Sequence, residues 1–304
     1  MGHDHHHSHN NNKKVLLFNF LFITFYMIIE FIGGLITNSL ALLADAGHML
    51  SDAVALGLSL LAFHFGEKPA TKEKTYGFKR FEILAALING FTLIGISLYI
   101  FWEAFNRFRE PPEIMGLGMF LVAVIGLIVN IIVAWIIAKK GDTKENLNMR
   151  SAFLHVMSDM LGSIGAIVAA LLIMGFGWSI ADPIISVVVS ILIIISGWRI
   201  TKDSLHVLME GTPKNIEINK IKEKLLSIPE VKGIHDLHVW TITSGFPALS
   251  GHLTVKNNSN HEVILREAAK ILKEGFHIEH TTIQLEEEDY TLVEEENHWD
   301  WERT

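Results

Sequence analysis

Residues 40–65 read LALLADAGHMLSDAVALGLSLLAFHF, an apolar run of membrane-spanning length that nevertheless holds Asp45, His48 and Asp52. A second run, 151–176, reads SAFLHVMSDMLGSIGAIVAALLIMGF and repeats the heart of the first, because His48-Met-Leu-Ser-Asp52 and His155-Val-Met-Ser-Asp159 are both HxxSD. On a helix, residues four apart share a face, so each copy offers one imidazole and one carboxylate in the same direction. Two such helices facing each other make a four-ligand pocket.

Four further apolar segments, at 15–37, 81–106, 114–138 and 179–201, bring the number of expected spans to six. Each meets the requirement of about 20 residues for a bilayer-crossing helix. With 304 residues, half of them hydrophobic, the chain is a poor fit to an ordinary soluble domain. The first run is too long and uninterrupted for a cleaved signal peptide, and no small-residue cleavage site follows it, so it stays as a span.

Orientation follows from the basic residues. One alternating set of flanks carries Lys13, Lys14, Lys68, Lys72, Lys74, Lys79, Arg80, Lys139, Lys140, Lys144, Arg150, Arg199 and Lys202, whereas the other carries only Arg107 and Arg109. Basic loops stay in the cytoplasm, which places both termini there, in a multi-pass protein of the cell membrane. The formal charge of −8 is concentrated in the C-terminal tail, and no basic patch joins an aromatic platform, so nucleic acid is not an expected partner. Cysteine is absent, which excludes disulfides and thiolate metal sites.

The chain divides near Met209-Glu210-Gly211-Thr212-Pro213, where Gly and Pro end the sixth span. Four regions follow from this: a His-rich arm at 1–14, a six-helix transmembrane domain at 15–208, a small α+β domain at 209–287 and an acidic tail at 288–304. In the third, 217–227 and 261–274 have helical spacing, and 231–243, 248–256 and 279–286 read as strands, with a turn at Ser244-Gly245-Phe246-Pro247. This αββαβ order predicts one sheet face buried under two helices. The tail, with its run of Glu and Asp, has a disordered composition.

The arm begins Met-Gly-His-Asp-His-His-His-Ser-His. A purification tag is the plain reading, but the interspersed Asp4 and Ser8 favour a natural metal-loading segment, with no packing reason to fold.

In lipid, ionisable side chains are expensive and mark ion pathways. Asp45, His48 and Asp52 fall at i, i+3 and i+7, and Asn38 and Ser59 extend the stripe; in the fifth span Ser151, His155 and Asp159 are continued by the small residues Gly162 and Ala166. Two imidazole nitrogens and two carboxylate oxygens suit tetrahedral Zn²⁺ and suit Mg²⁺ or Ca²⁺ poorly, since those prefer all-oxygen shells. Cobalt fits acceptably, while softer cadmium misses thiolates. Two carboxylates and one divalent ion sum to zero charge, which makes the loaded site tolerable in lipid. Without metal the site takes protons instead, so metal and protons compete and alternate access yields metal/proton exchange. Spans two and five run antiparallel, which lets the two copies meet near mid-membrane. Asp45, one turn further out, is a relay carboxylate or a partner that orients the ligands. Glu30, Glu82, Asn89, Glu103 and Asn130 are weaker signals, and Asp182-Pro183 reads as the N-cap and first residue of span six.

Six spans with both termini inside, the paired HxxxD motifs and the αββαβ domain together resemble the cation diffusion facilitator family, over residues 13 to 287. The local phrases that match are Asn38-Ser-Leu-Ala-Leu-Leu-Ala-Asp45, Gly77-Phe-Lys-Arg-Phe-Glu82, Leu208-Met-Glu-Gly-Thr-Pro213, His235-Asp-Leu-His-Val-Trp240 and His280-Thr-Thr-Ile-Gln-Leu-Glu286. The chain looks most like the bacterial branch that exports zinc, cobalt and cadmium. The resemblance implies a homodimeric metal/proton antiporter, with potassium as a further counter-ion in some members, and a metallochaperone-like cytoplasmic domain that binds regulatory metal. The transport ligands carry over to His48, Asp52, His155 and Asp159, with His48 placing the chain in the zinc-preferring type. A charged pair at the end of the transmembrane domain maps to Arg80 and Glu210, and cytoplasmic ligands map to His235, His252, His261, His280 and Glu286. Strand alternation puts His238 on the face opposite His235. A carboxylate that some relatives carry two residues after the third histidine is Thr282 here. The loop Glu67-Lys-Pro-Ala-Thr-Lys-Glu-Lys-Thr-Tyr76 lacks the His and Asp of an additional site, and Lys139-Lys-Gly-Asp-Thr-Lys144 lacks the His-rich loop of other relatives.

Two other classes compete. An intramembrane zinc hydrolase needs an open metal position and a general base, but no HExxH pattern is present. A metal sensor needs a signalling module, and none follows the α+β domain. Loss of metal resistance in Asp52→Asn and Asp159→Asn discriminates transport from both.

Overall fold

The computed structural model describes residues 6–66, 70–140 and 147–287; within its helices the side chains of 6–16, 62–66 and 136–155, and those of Phe18, Ser59 and Ser158, lie outside that description. The acidic tail, the first five residues and loop positions 67–69 and 141–146 are thus outside the described residues. Six long helices come first: α1 (His6–Thr37), α2 (Leu40–Gly66), α3 (Phe81–Arg109), α4 (Gly116–Lys140), α5 (Leu147–Phe176) and α6 (Ala181–Leu208). All six are long and apolar enough to cross a membrane. One boundary departs from expectation: α1 extends back to His6, well into the histidine-rich arm. Adding a turn to an existing helix costs far less than nucleating one, so the arm needs no packing of its own to continue α1.

The chain divides into two compact units, the cuts falling inside α3 and α6. The first holds residues up to Ala70 and Leu84–Lys202. Its helices meet through small side chains. Ala41 and Leu42 of α2 are buried with Met119 and Ala123 of α4, with Ala166, Ala169 and Ala170 of α5 and with Ala181 of α6. A second cluster joins Leu40 and Ala44 to Leu93, Ile100 and Ala104 of α3 and to Val189 and Ile193 of α6. Small residues let apolar helices approach where no hydrophobic force drives them together. The limit is reached at Gly90 and Gly197, where a Cβ on Gly197 would lie 3.1 Å from the Gly90 carbonyl oxygen. Large apolar residues such as Ile88, Leu121, Leu161 and Val188 point outward, the pattern of a surface facing lipid.

The second unit holds Thr71–Ile83 and the chain from Asp203 onward. Here α7 (Ile218–Leu226), β1 (Val231–Thr243), β2 (Phe246–Val255), α8 (His261–Phe276) and β3 (His280–Glu287) follow in the αββαβ order that the sequence implied. The sheet order is β1-β2-β3, with β1 antiparallel and β3 parallel to β2. Ile221 and Leu225 of α7 and Ile264, Ala268 and Leu272 of α8 close over Val239, Leu249, Leu253 and Val255. The opposite sheet face is left for polar side chains.

The hairpin is tighter than expected: β2 already starts at Phe246, and Gly245 supplies the positive φ of 71°. Pro247 is tolerated in a central strand because β3 begins pairing only at Ala248, so position 247 has a neighbour on one side alone.

Candidate metal sites

Helix α2 positions His48 and Asp52 on one face, and α5 brings Asp159 to them. Ligand atoms of these three residues all lie within 4.8 Å of one another, and His48 Nε2 is 3.3 Å from an Asp159 carboxylate oxygen. The fourth expected ligand, His155, has its backbone in α5, but its side chain lies outside the described residues. The helices are antiparallel at this crossing. His48 sits against Asp159, and one turn back along α2 Asp45 sits against Gly162, one turn forward along α5. The same register brings position 155 level with Asp52. Asp45 is buried, and a Cβ on Gly162 would lie 3.0 Å from its Oδ1, so glycine there makes room for the carboxylate.

Three of the weaker polar signals, Glu30, Asn89 and Glu103, find partners on helices. Asn89 Nδ2 donates to Ser51 Oγ at 3.0 Å, and Arg107 Nε donates to Glu103 at 2.9 Å. Glu30 is fully buried; Tyr26 Oη donates to its Oε1 at 2.8 Å, while Oε2 has no hydrogen-bond partner among the described residues. In the second unit Glu82 accepts from Thr243 Oγ1 and Ser244 Oγ. Asp182 departs from its expected role. It does not cap α6, which already includes Ala181; its carboxylate accepts from Ser39 Oγ at 2.6 Å and from the backbone N–H groups of Leu40 and Ala41 at 2.8 and 3.1 Å. It therefore caps α2, a partner that no local pattern could reveal.

The sheet carries a second cluster. His235, His252 and Glu286 bring ligand atoms within 4.8 Å, with His235 Nε2 at 3.2 Å and His252 Nδ1 at 2.9 Å from the Glu286 carboxylate. Register explains it: His235 pairs with His252 across β1 and β2, and Glu286 lies one row along on β3, opposite Thr254. Gln284, which pairs with His252, donates to Glu286 Oε1 at 2.8 Å. Spacing of two from Glu286 on a strand was the available signal for Gln284. Two imidazoles and one carboxylate are a donor set that fits Zn²⁺.

His261 and His280 are not part of this cluster. His261 is exposed at the first turn of α8, the helix that covers the other sheet face. His280 pairs with Ala248, four residues from His252 along β2, or about 13 Å at strand rise. Its Nε2 lies 3.3 Å from Tyr76 Oη, with the two rings edge to face. The expectation for His238 is corrected. A β-bulge between His235 and His238, with Asp236 at φ 50°, adds a residue to β1, so His238 pairs with Ser250 and shares the face of His235 and His252. His238 Nε2 then meets Asp236 Oδ1 at 2.9 Å. Arg80 and Glu210 do meet, at 3.1 Å, as an exposed pair.

A helix pair with an imidazole-carboxylate cluster among apolar spans, carried on a six-helix chain that ends in an αββαβ domain, defines a membrane cation transporter rather than an enzyme. Residues 16–209 match the family described as cation efflux transmembrane domain, and residues 213–288 match the one described as cation efflux protein, cytoplasmic domain. The chain belongs to the cation diffusion facilitator family. It is 56% identical, over 94% of its length and 92% of the relative's, to a protein of Bacillus velezensis named cadmium, cobalt and zinc/H(+)-K(+) antiporter. The Bacillus subtilis protein of the same name is 55% identical, over 95% of this chain and 93% of that one. The metal cation efflux system protein CzcD of Cupriavidus metallidurans is 41% identical, over 93% and 89%.

Proposed function

We propose that this protein exports divalent metal from the cytoplasm in exchange for protons, with Zn²⁺ the principal cargo and Co²⁺ and Cd²⁺ also carried. His48, Asp52, His155 and Asp159 hold the ion in transit. The observation that carries this reading is the convergence of His48, Asp52 and Asp159 across two apolar helices. Two carboxylates there make a charge that lipid does not tolerate, and a divalent ion or protons neutralise it. Exchange follows, because the same lone pairs hold either. The close relatives named for H⁺ and K⁺ antiport and for cadmium, cobalt and zinc lend this the same direction, and K⁺ is a second counter-ion to be measured.

Both termini face the cytoplasm in this reading, and the protein works as a homodimer in the cell membrane. The cluster His235, His252 and Glu286 binds Zn²⁺ as a regulatory ligand, while His280 is engaged by Tyr76. Purified protein in proteoliposomes tests the exchange. Zinc flux is expected to rise with an opposing pH gradient and to move protons outward as zinc enters; flux indifferent to the pH gradient contradicts it. Varying the potassium gradient separately assigns the second counter-ion.

A further inference from the structure

The end of α2 nearest Asn38 is held by a cluster of buried polar contacts. Four backbone N–H groups at a helix start have no intrahelical partner. Here Leu40 and Ala41 donate to Asp182 of α6, Leu42 donates to Ser39 Oγ at 3.3 Å, and Ser39 Oγ itself donates to Asp182. Arg107 of α3 completes the cluster. Its Nη1 lies 3.6 Å from Asp182 Oδ2 and donates to the Asn38 carbonyl at 2.6 Å, and its Nη2 donates to Asn38 Oδ1 at 3.1 Å. Asn38 is in the left-handed region at φ 57°, the conformation that turns the chain from α1 into α2 and aims its carbonyl at the guanidinium. Asp182, Ser39 and Arg107 are all buried, the first two completely.

Burial along α2 is lopsided. From Leu40 to Ala46 every residue but Leu43 is buried, whereas His48, Met49, Leu50 and Asp52 are half-buried. The Asn38 end of α2 is thus packed shut, while the candidate ligands further along α2 keep partial exposure. A carboxylate at a helix N-terminus is favoured by the aligned peptide dipoles, and a buried ion pair is costly to leave with one partner missing. The cluster ties α2, which carries His48 and Asp52, to α3 and α6 at that end.

We propose that Asp182 and Arg107 form a latch that closes the Asn38 end of α2 in this state and must part before metal leaves there. The latch rests on the transport reading above, in which that end faces outside. Neither residue touches the ion; both are positioning residues that act through α2.

The chain has no cysteine, so a single Ala41→Cys reports on this end of α2 by its reaction with a membrane-impermeant maleimide applied from outside. Ala41 is 1% exposed, and slow labelling is expected in the parent. Asp182→Asn is expected to speed labelling about tenfold or more, since it strips the charge partner from Arg107. Arg107→Lys keeps the charge but loses the forked hold on Asn38, and a smaller acceleration of roughly threefold is expected. Zinc affinity of the detergent-solubilised protein is measured alongside as a control: a loss equal to that in Asp52→Asn would make the pair a support of the ligand site and overturn the latch. Unchanged labelling in both variants overturns the latch; if Asp182→Asn fails to reach the membrane, Arg107→Lys alone decides by the same criterion. Asp52→Asn in the same background separates the two claims: zinc flux at the parent's rate in that variant removes the transport reading, whatever the labelling shows.

Discussion

The two candidate metal clusters use similar donors on opposite scaffolds. In the membrane, His48 and Asp52 stand four apart on one helix and Asp159 answers from another; in the sheet, His235, His252 and Glu286 come from three different strands. A helix writes its site into the sequence as a spacing, so HxxSD is visible before any fold is known. A sheet writes its site into strand register, which depends on bulges and pairing that spacing does not encode. The surroundings differ as well. The helix cluster is embedded among apolar spans, where net charge is costly; the sheet cluster stands on a polar face, where Gln284 donates to Glu286.

That contrast predicts unequal consequences when ligands are removed. Asp52→Asn and Asp159→Asn are expected to reduce zinc flux by more than about 100-fold, the upper end of what even an indirect partner of a metal ligand costs. Protein amount in the membrane is the control. His252→Ala or Glu286→Gln is expected to remove one zinc from the full chain, counted by equilibrium dialysis, and to lower flux only about tenfold, the scale of a coupling between separate sites. Flux loss equal to that of Asp159→Asn would erase the distinction between cargo and regulatory metal.

Smaller effects sharpen the geometry. Gly162→Ala places a methyl 3.0 Å from Asp45 Oδ1, so the carboxylate must give by a few tenths of an ångström; the zinc affinity of the site that Asp159→Asn removes is expected to fall roughly fivefold by isothermal titration, within the range for disturbed partners of a ligand. An unaltered affinity would mean that the Asp45–Gly162 contact has no part in holding the site. Smallest of all is Arg80→Ala with Glu210→Ala. The pair is largely exposed, worth at most about 1 kcal/mol, and a modest shift in the dimer's dissociation on dilution is expected. No shift in either mutant removes this pair from any role in dimer coupling.

Much of the fold was legible because each element announces itself locally: six apolar runs, then the αββαβ alternation. Strand β1 begins and ends where its pattern says, at Val231 and Thr243. What the sequence concealed were contacts between distant segments. Asp182 looked like a local cap because Asp-Pro is one, yet its carboxylate serves Ser39, Leu40 and Ala41, about 140 positions away. Simple alternation puts His238 on the wrong face, because it ignores the bulge at Asp236. His280 keeps the expected strand face, but at a row where Tyr76 rather than His252 is its neighbour.

The most direct test is to load a pH dye into proteoliposomes and add zinc outside, on the cytoplasmic side of the reconstituted protein, comparing the parent with Asp159→Asn and His252→Ala. Exchange at the helix cluster predicts that the lumen turns alkaline as zinc enters the parent vesicles, more slowly with His252→Ala and not at all with Asp159→Asn. Zinc entry and lumen alkalinisation in Asp159→Asn at the parent's rate would contradict it.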